Sequence, residues 1–408
     1  MGATSSSSAE ADRLLRGLSP KEIAEAEKGF EDLRGPDGVI TPATYTARLP
    51  GPCRPLPQAL GERLFRVVYE VPEGESTVDW VQFLRTLLRF KGKGSTRHAH
   101  DAFKSHDDIL ACSRSFADDE AFLSAVERTL VDLLHGNKVF MTDKPATTGT
   151  RDSSLDYEAF RRLSRVLPGI FEFLSLLSDP VPREPALPTL QYSLSATRSI
   201  LTPPRALLLS TMLGPIPWTQ VFHSDKGKAW PMLLSSLEDK HPTLVLVRTA
   251  EGSIIGGYST AAWYRSAKFF GGGEEGGGSS CVFSLHPRAC VYPSTGFNEN
   301  FQYLASGCTV NPNGVGLGGA RVRNFALFIS ASLDAGHSFP SATFNNLHLH
   351  GGEASAFGVD VVEVWCPSSA LEGEGEGGRC NVLQNEKFKA DQVIHGLAGK
   401  FQGHNERA

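Results

Sequence analysis

The chain has 408 residues, 40% of them hydrophobic and 21% charged, with a net charge of −5. This composition is ordinary for globular domains, and the length accommodates two or three of them. The acidic balance excludes a general nucleic-acid binder, which needs a basic footprint, and no apolar run reaches the roughly 18 residues of a membrane-spanning helix.

The opening stretch, MGATSSSSAEADRLL, lacks the apolar core of a secretory signal. Seven scattered cysteines, Cys53, Cys112, Cys281, Cys290, Cys308, Cys366 and Cys380, contain no CxxC pair. Reduced thiols and a cytoplasmic setting are expected. Residues 1–18 read as a flexible tail. Met1–Ser6 fits the myristoylation pattern, with Gly2 as acceptor. One myristoyl chain binds a membrane only marginally, so a second contact is required. Arg13, Arg16, Lys21 and Lys28 are outnumbered by Glu10, Asp12, Glu22, Glu25 and Glu27, so that contact must be with a protein.

Residues 19–178 read as a helical domain. Ser19-Pro20-Lys21-Glu22 is a helix start with a capping box, and Ile23, Ala26, Phe30 and Leu33 follow at helical spacing. The turn at Arg34–Thr41 and a second start at Thr41-Pro42 complete a unit resembling an EF-hand. With Gly38 at loop position 6, Leu33, Gly35, Asp37 and Thr44 fall at positions 1, 3, 5 and 12. A calcium loop needs several oxygen ligands and a terminal Glu, so no metal is expected. Leu60–Phe90 forms a second such unit, also without Asp at its ligand positions. Arg89–His100 reads as a basic loop whose His98 and His100, with His106 and Asp107, are solvated rather than metal-binding. Phe122, Val126, Leu130 and Leu133 mark a helix ending at Gly136. Leu155, Phe160, Leu163, Val166 and Leu167 mark another, broken by Pro168 before Ile170–Leu177. The proline-rich segment 179–206 reads as a linker.

Residues 207–367 are β-rich. Thr243–Arg248, Ile254–Tyr258, Cys281–Leu285, Phe325–Ile329 and Val359–Trp365 read as strands, with a hairpin turn at Ala250–Ser253 and a helix near Trp230–Leu237. The insert GGGEEGGGSS at 271–280 has nothing to bury. Gly314–Gly319 formally matches GxGxxG, but Asn311-Pro312-Asn313 precedes it and a strand follows it. A dinucleotide site needs the reverse context, so these glycines, Gly316 and Gly318 among them, are assigned to a tight turn and close backbone approach beside the sheet. His348 and His350 share a strand face if extended. Glu363, set among valines beside Trp365, must be paired if buried. No GxSxG elbow or HExxH motif occurs, and neither catalytic residue, metal nor cofactor is assigned.

VFHSDKGKAWPMLL, IIGGYSTAAW, CVFSL, GFNENFQY, GVGLGG, FALFISASLDAGHSFPSATFNN and VEVW occur in this order. Through them the β-rich part resembles the TLDc domain family, and the whole layout resembles that family's mTOR-associated members. The resemblance implies an α+β chain in which an EF-hand-like helical domain precedes a two-sheet β-sandwich flanked by helices. It implies a non-enzymatic role with no small-molecule substrate, linked to oxidative-stress protection, lysosomal mTOR signalling and binding of V-ATPase subunits. A location peripheral to lysosomal or other endomembranes, held by a myristoylated Gly2, follows from the same likeness. Beyond a Gly/Glu-rich spacer at 368–384, residues 385–401 form an amphipathic helix pattern, with Ala390, Val393, Ile394, Leu397 and Phe401 on one side. Phe388, Val393, Ile394, Leu397 and Phe401 are the candidate partner contacts, since a C-terminal helix contributes to pump contact in the relatives. Gly316, Gly318, Glu363 and Trp365 are assigned as structural anchors. The alternatives are an antioxidant or hydrolytic enzyme centred on Glu363, His348 and His350, and a scaffold of a cytoskeletal or ciliary complex.

Overall fold

The computed structural model describes residues 3–50, 56–72, 75–93, 95–103, 105–114, 119–134, 155–183, 185–272, 280–320 and 324–372. Gly2, Gly136, the centre of the glycine insert and the tail helix pattern at 385–401 lie outside them. Ten helices come first: α1 Ala3–Leu15, α2 Pro20–Leu33, α3 Pro42–Thr46, α4 Gln58–Tyr69, α5 Trp80–Lys93, α6 Ser95–Ala102, α7 His106–Arg114, α8 Glu120–Leu134, α9 Tyr157–Val166 and α10 Pro168–Leu177. The stretch read as a flexible tail contains α1. Its Ala11 is buried, Leu14 and Leu15 pack on the core, and Glu10 bridges to Arg85 of α5 at 2.6 Å. The serine-rich composition hides this short apolar stripe. The stretch read as a basic loop is likewise helical, since α5 and α6 run through most of it.

The Ser19 capping box forms as expected. Ile40 and Val78 exchange backbone hydrogen bonds of 2.9 and 2.8 Å, so the two EF-hand-like loops pair with one another. Gly38 takes φ +76° at the sharp turn, where a β-carbon is disfavoured. Thr44, at the position a calcium loop gives to Glu, instead closes a capping box with Thr41.

The second half contains β1 Thr189–Gln191, α11 Pro203–Leu208, α12 Ser210–Leu213, β2 Pro217–His223, α13 Trp230–Leu237, β3 Thr243–Thr249, β4 Ile254–Ser259, β5 Ser266–Phe270, β6 Cys281–His286, β7 Cys290–Pro293, β8 Gln302–Ala305, β9 Gly314–Gly319, β10 Phe325–Ser330, β11 Ala335–His337, β12 Ala356–Pro367 and α14 Ser369–Glu372. One sheet runs β1-β2-β12-β3-β4-β6-β7 and the other β5-β8-β9-β10-β11-β12. The long β12 belongs to both. The sheets face one another closely: a β-carbon on Gly257 of β4 would collide with Leu317 of β9.

Segment 179–206 is no mere linker, contrary to its proline-rich reading, because β1 pairs in parallel with β2 and α11 starts at Pro203. The glycine run 314–319 is not a turn but β9 itself, antiparallel to β8 and β10. Its glycines admit neighbouring rings: a β-carbon on Gly316 would lie 2.5 Å from the Phe325 ring. Gly318, at φ +63°, lies against Phe344.

The two halves share one hydrophobic core. The β6–β7 hairpin docks on α8: Ala289 N–H donates to the Ala125 carbonyl (3.2 Å), Thr129 Oγ1 donates to the Ala289 carbonyl (2.9 Å), and Arg288 pairs with Asp132 (2.7 Å). A smaller cluster of Tyr303, Ala305, Phe325 and Phe328 forms separately. No disulfide joins the described cysteines, and among the described residues no helix is long and apolar enough to cross a membrane.

Candidate functional site

Glu363 sits in β12 directly opposite His223 of β2, so their side chains share a face. Both side chains are fully buried, with His223 Nε2 3.3 Å from Glu363 Oε1. Oε1 also accepts the Ile200 N–H (2.6 Å), while Oε2 accepts Trp365 Nε1–H (2.9 Å), Ser199 Oγ–H (3.1 Å) and the Leu201 N–H (3.4 Å). The tautomer of His223 follows from its other side. Nδ1 accepts the Asp225 N–H at 3.1 Å, so the ring proton lies on Nε2, which donates to the Arg198 carbonyl at 3.4 Å and lies beside the carboxylate. Four donors thus bond one buried carboxylate, with the His223 ring beside it, which satisfies the requirement that an interior charge be hydrogen-bonded. The network continues outward. Arg205 of α11 donates to the Ile200 carbonyl (2.6 Å) and pairs with Asp119, at the entry to α8, at 2.9 Å. Burial pushes the Arg205 guanidinium below its ordinary pKa, and Asp119 opposes that shift.

The remaining candidate residues do not join this site. Residues 347–350 are not extended, so His348 and His350 share no strand face. Their rings meet edge-on at 6.0 Å; His348 contacts the Ser338 carbonyl through Nδ1 (2.6 Å), and His350 packs on Phe357 at 5.3 Å. His100 packs on Tyr157 and Phe160 with Nε2 3.2 Å from the Leu155 carbonyl, so it is held in the helical core rather than solvated. Among the described residues no group of three His, Cys, Asp or Glu could hold a metal. Trp365 is fully buried and meets Tyr192 edge-on at 5.4 Å.

Large apolar side chains reach the surface on braced loops. Phe297 is 78% exposed between β7 and β8. Thr295 accepts the Phe297 N–H and donates to the Ala342 carbonyl at 2.7 Å, Asn298 accepts from Thr343 (2.9 Å), and Asn300 donates to the Gly319 carbonyl (2.7 Å). Val310 (78%), Tyr264 (54%) and Met232 (48%) are exposed elsewhere on the domain. Asn311 donates to the Ala267 carbonyl of β5 at 3.0 Å, Trp230 Nε1 donates to Ser306 at 3.1 Å, and Arg265 pairs with Glu238. These contacts hold α13 and the flanking loops together.

Residues 194–367 match the TLDc domain family. This segment is a TLDc domain. The match begins at Leu194, ahead of the boundary at 207 expected from sequence, and so takes in Ser199, Ile200 and Leu201, the donors to Glu363. The TLDc-containing chain is also similar to MTOR-associated protein MEAK7 of Danio rerio, with 31% identity over 205 residues, 48% of this chain and 44% of the relative. The Mus musculus protein of that name is 29% identical over 216 residues, covering 51% of this chain and 46% of the relative. The Homo sapiens protein is 26% identical over 170 residues, covering 41% and 36%. The match therefore spans less than half the length of each of these relatives.

Within the TLDc domain, the need for a partner to Glu363 is evident from its place in an apolar strand. His223 and the three donors at 199–201 are not, because they lie far away in sequence.

Proposed function

We propose that this chain is a non-enzymatic adaptor that regulates a large protein assembly through its TLDc domain and C-terminal segment. The supporting observation is Phe297, a largely exposed aromatic ring on a loop fixed at Thr295, Asn298 and Asn300. A loop braced before binding loses little entropy on association, and aromatic side chains such as Phe are enriched at interface cores. The enzyme alternative is disfavoured by Glu363, its leading candidate, whose two oxygens already engage four internal donors. In this reading the assembly is the V-ATPase and the setting is mTOR-type signalling or oxidative-stress protection. The chain lies peripheral to lysosomal or other endomembranes, with a myristoylated Gly2 as membrane contact and Phe388, Val393, Ile394, Leu397 and Phe401 as tail contacts. Regulation requires that the adaptor bind one state of the assembly more tightly than another.

The test is affinity capture from detergent-solubilised native membranes. Recovery of pump subunits by the full chain, with loss on deleting residues 381–408, supports this reading. Recovery of tubulin-associated proteins in their place would select the scaffold alternative.

A further inference from the structure

We propose that the chain's own C-terminal segment, residues 385–401, docks in the apolar cleft between β1 and α11. The cleft is lined by Leu187, Pro188, Leu190, Tyr192, Pro203 and Ala206, with a volume of ≈ 170 Å³. An apolar cavity of about 150 Å³ accepts one benzene ring, so this cleft takes a single aromatic side chain and not a drug-sized ligand.

The occupant follows from where β12 ends, five residues before the described chain stops at Glu372 beyond α14. Ser368, the residue after β12, is tied to β2: its N–H donates to the Pro217 carbonyl at 2.9 Å, and its Oγ lies 2.8 Å from Thr219 Oγ1. The same Thr219 hydroxyl donates to Gln191 Oε1 of β1 at 3.0 Å. The exit of the chain and the strand that borders the cleft therefore meet at one side chain. Leu190 pairs in register with Trp218, which in turn pairs with Pro367, so two strand spacings, about 10 Å, separate the exit from the cleft. Gln191 faces the exit, whereas Leu190 and Tyr192 line the cleft. The chain must therefore pass round the outer edge of β1, which pairs with no strand but β2 among the described residues. Residues 373–384 open with the run GEGEGG; a Gly-rich chain of twelve residues spans about 20 Å.

The sequence beyond the spacer matches the cleft. Ala390, Val393, Ile394, Leu397 and Phe401 form an apolar stripe at helical spacing, and Phe401 is its one aromatic ring. Gly396 and Gly399 weaken this helix in isolation, so a seat is needed to order it. Tethering supplies that seat at an effective concentration of the order of millimolar, and a partner that takes the segment must first displace it from the cleft. The inference rests on the helix pattern at 385–401 and not on the identity of any partner.

Hydrogen exchange on the purified full-length chain, read by mass spectrometry without partner or membrane, is the test. Amides of 385–401 are expected to exchange at least tenfold more slowly than an unstructured chain, at a rate independent of protein concentration. The slowing should vanish both in Phe401→Asp, which leaves every described residue intact, and in Leu190→Glu, checked by circular dichroism for retained fold. Unstructured exchange in the wild type overturns the proposal. So does slowing that grows with concentration, which would assign the cleft to a second copy, and so does slowing that survives Phe401→Asp.

Discussion

Gly169, in the first turn of α10, lies against the backbone of Leu207 in α11 so closely that a β-carbon would collide with the Leu207 carbonyl oxygen and lie 2.8 Å from that of Leu208. The helical domain and the TLDc domain meet here backbone to backbone, with no flexible side chain between them to give way. Gly169→Ala is therefore expected to destabilise the protein by about 3 kcal/mol. The measurement is the denaturant midpoint, with Gly252→Ala as a control. Gly252 has φ +87° and open space around its β-carbon position, so that variant carries conformational strain alone, about 1 kcal/mol.

In Glu363→Gln an amide nitrogen replaces one acceptor oxygen while four donors still point at the site. At least one donor then faces another donor, and the loss should be about 3 kcal/mol. Urea unfolding followed by tryptophan fluorescence, to which the buried Trp365 contributes, reads it.

Acid sensitivity follows from His337 and His350. Burial holds both imidazoles below their ordinary value of 6.5. The unfolded chain thus binds protons on these groups more readily than the folded one. Their contribution to stability is fully present above pH 6.5 and declines as the pH falls from there toward the depressed folded values. His337 stacks on Phe328 at 4.8 Å, and its Nε2 has no hydrogen-bond partner among the described residues. His337→Phe keeps an aromatic ring there and removes the proton site. Melting temperatures recorded from pH 7 to about 5 should fall less steeply in this variant than in the wild type.

Phe297 separates binding from folding. At 78% exposure it contributes little to the core, so Phe297→Ala should leave thermal stability within about 0.5 kcal/mol of wild type. Capture of the partner assembly should fall by roughly tenfold or more, as for a hot-spot aromatic. Unchanged capture would remove this loop from the interface.

Local chemistry is readable from sequence and long-range chemistry is not. The Ser19 capping box, the β3–β4 hairpin and α13 each depend on residues within a few positions of one another, so spacing reveals them. The short strands β1, β5, β7, β8 and β11 have little apolar pattern of their own; neighbours distant in sequence recruit them. β9 is hidden for a related reason. Its glycines have low strand propensity, and only the rings of Phe325 and Phe328 packed over Gly316 and Gly314 explain why a side-chain-poor strand is stable there. In the site, the chemistry of Glu363 announces a need for donors, but the topology that delivers Ser199, Ile200 and His223 to it is a property of the folded sheet. The helix α1 is obscured by serines that carry no periodic signal.

β12 runs through both sheets and ends at Pro367, just before α14. A pull applied at Pro367 along the strand is met by a strand bonded on both sides, to β2 and to β3. Pulled in this direction, the hydrogen bonds resist together in shear instead of opening one after another like a zip. The domain is thus stiffest along the direction in which β12 leaves it.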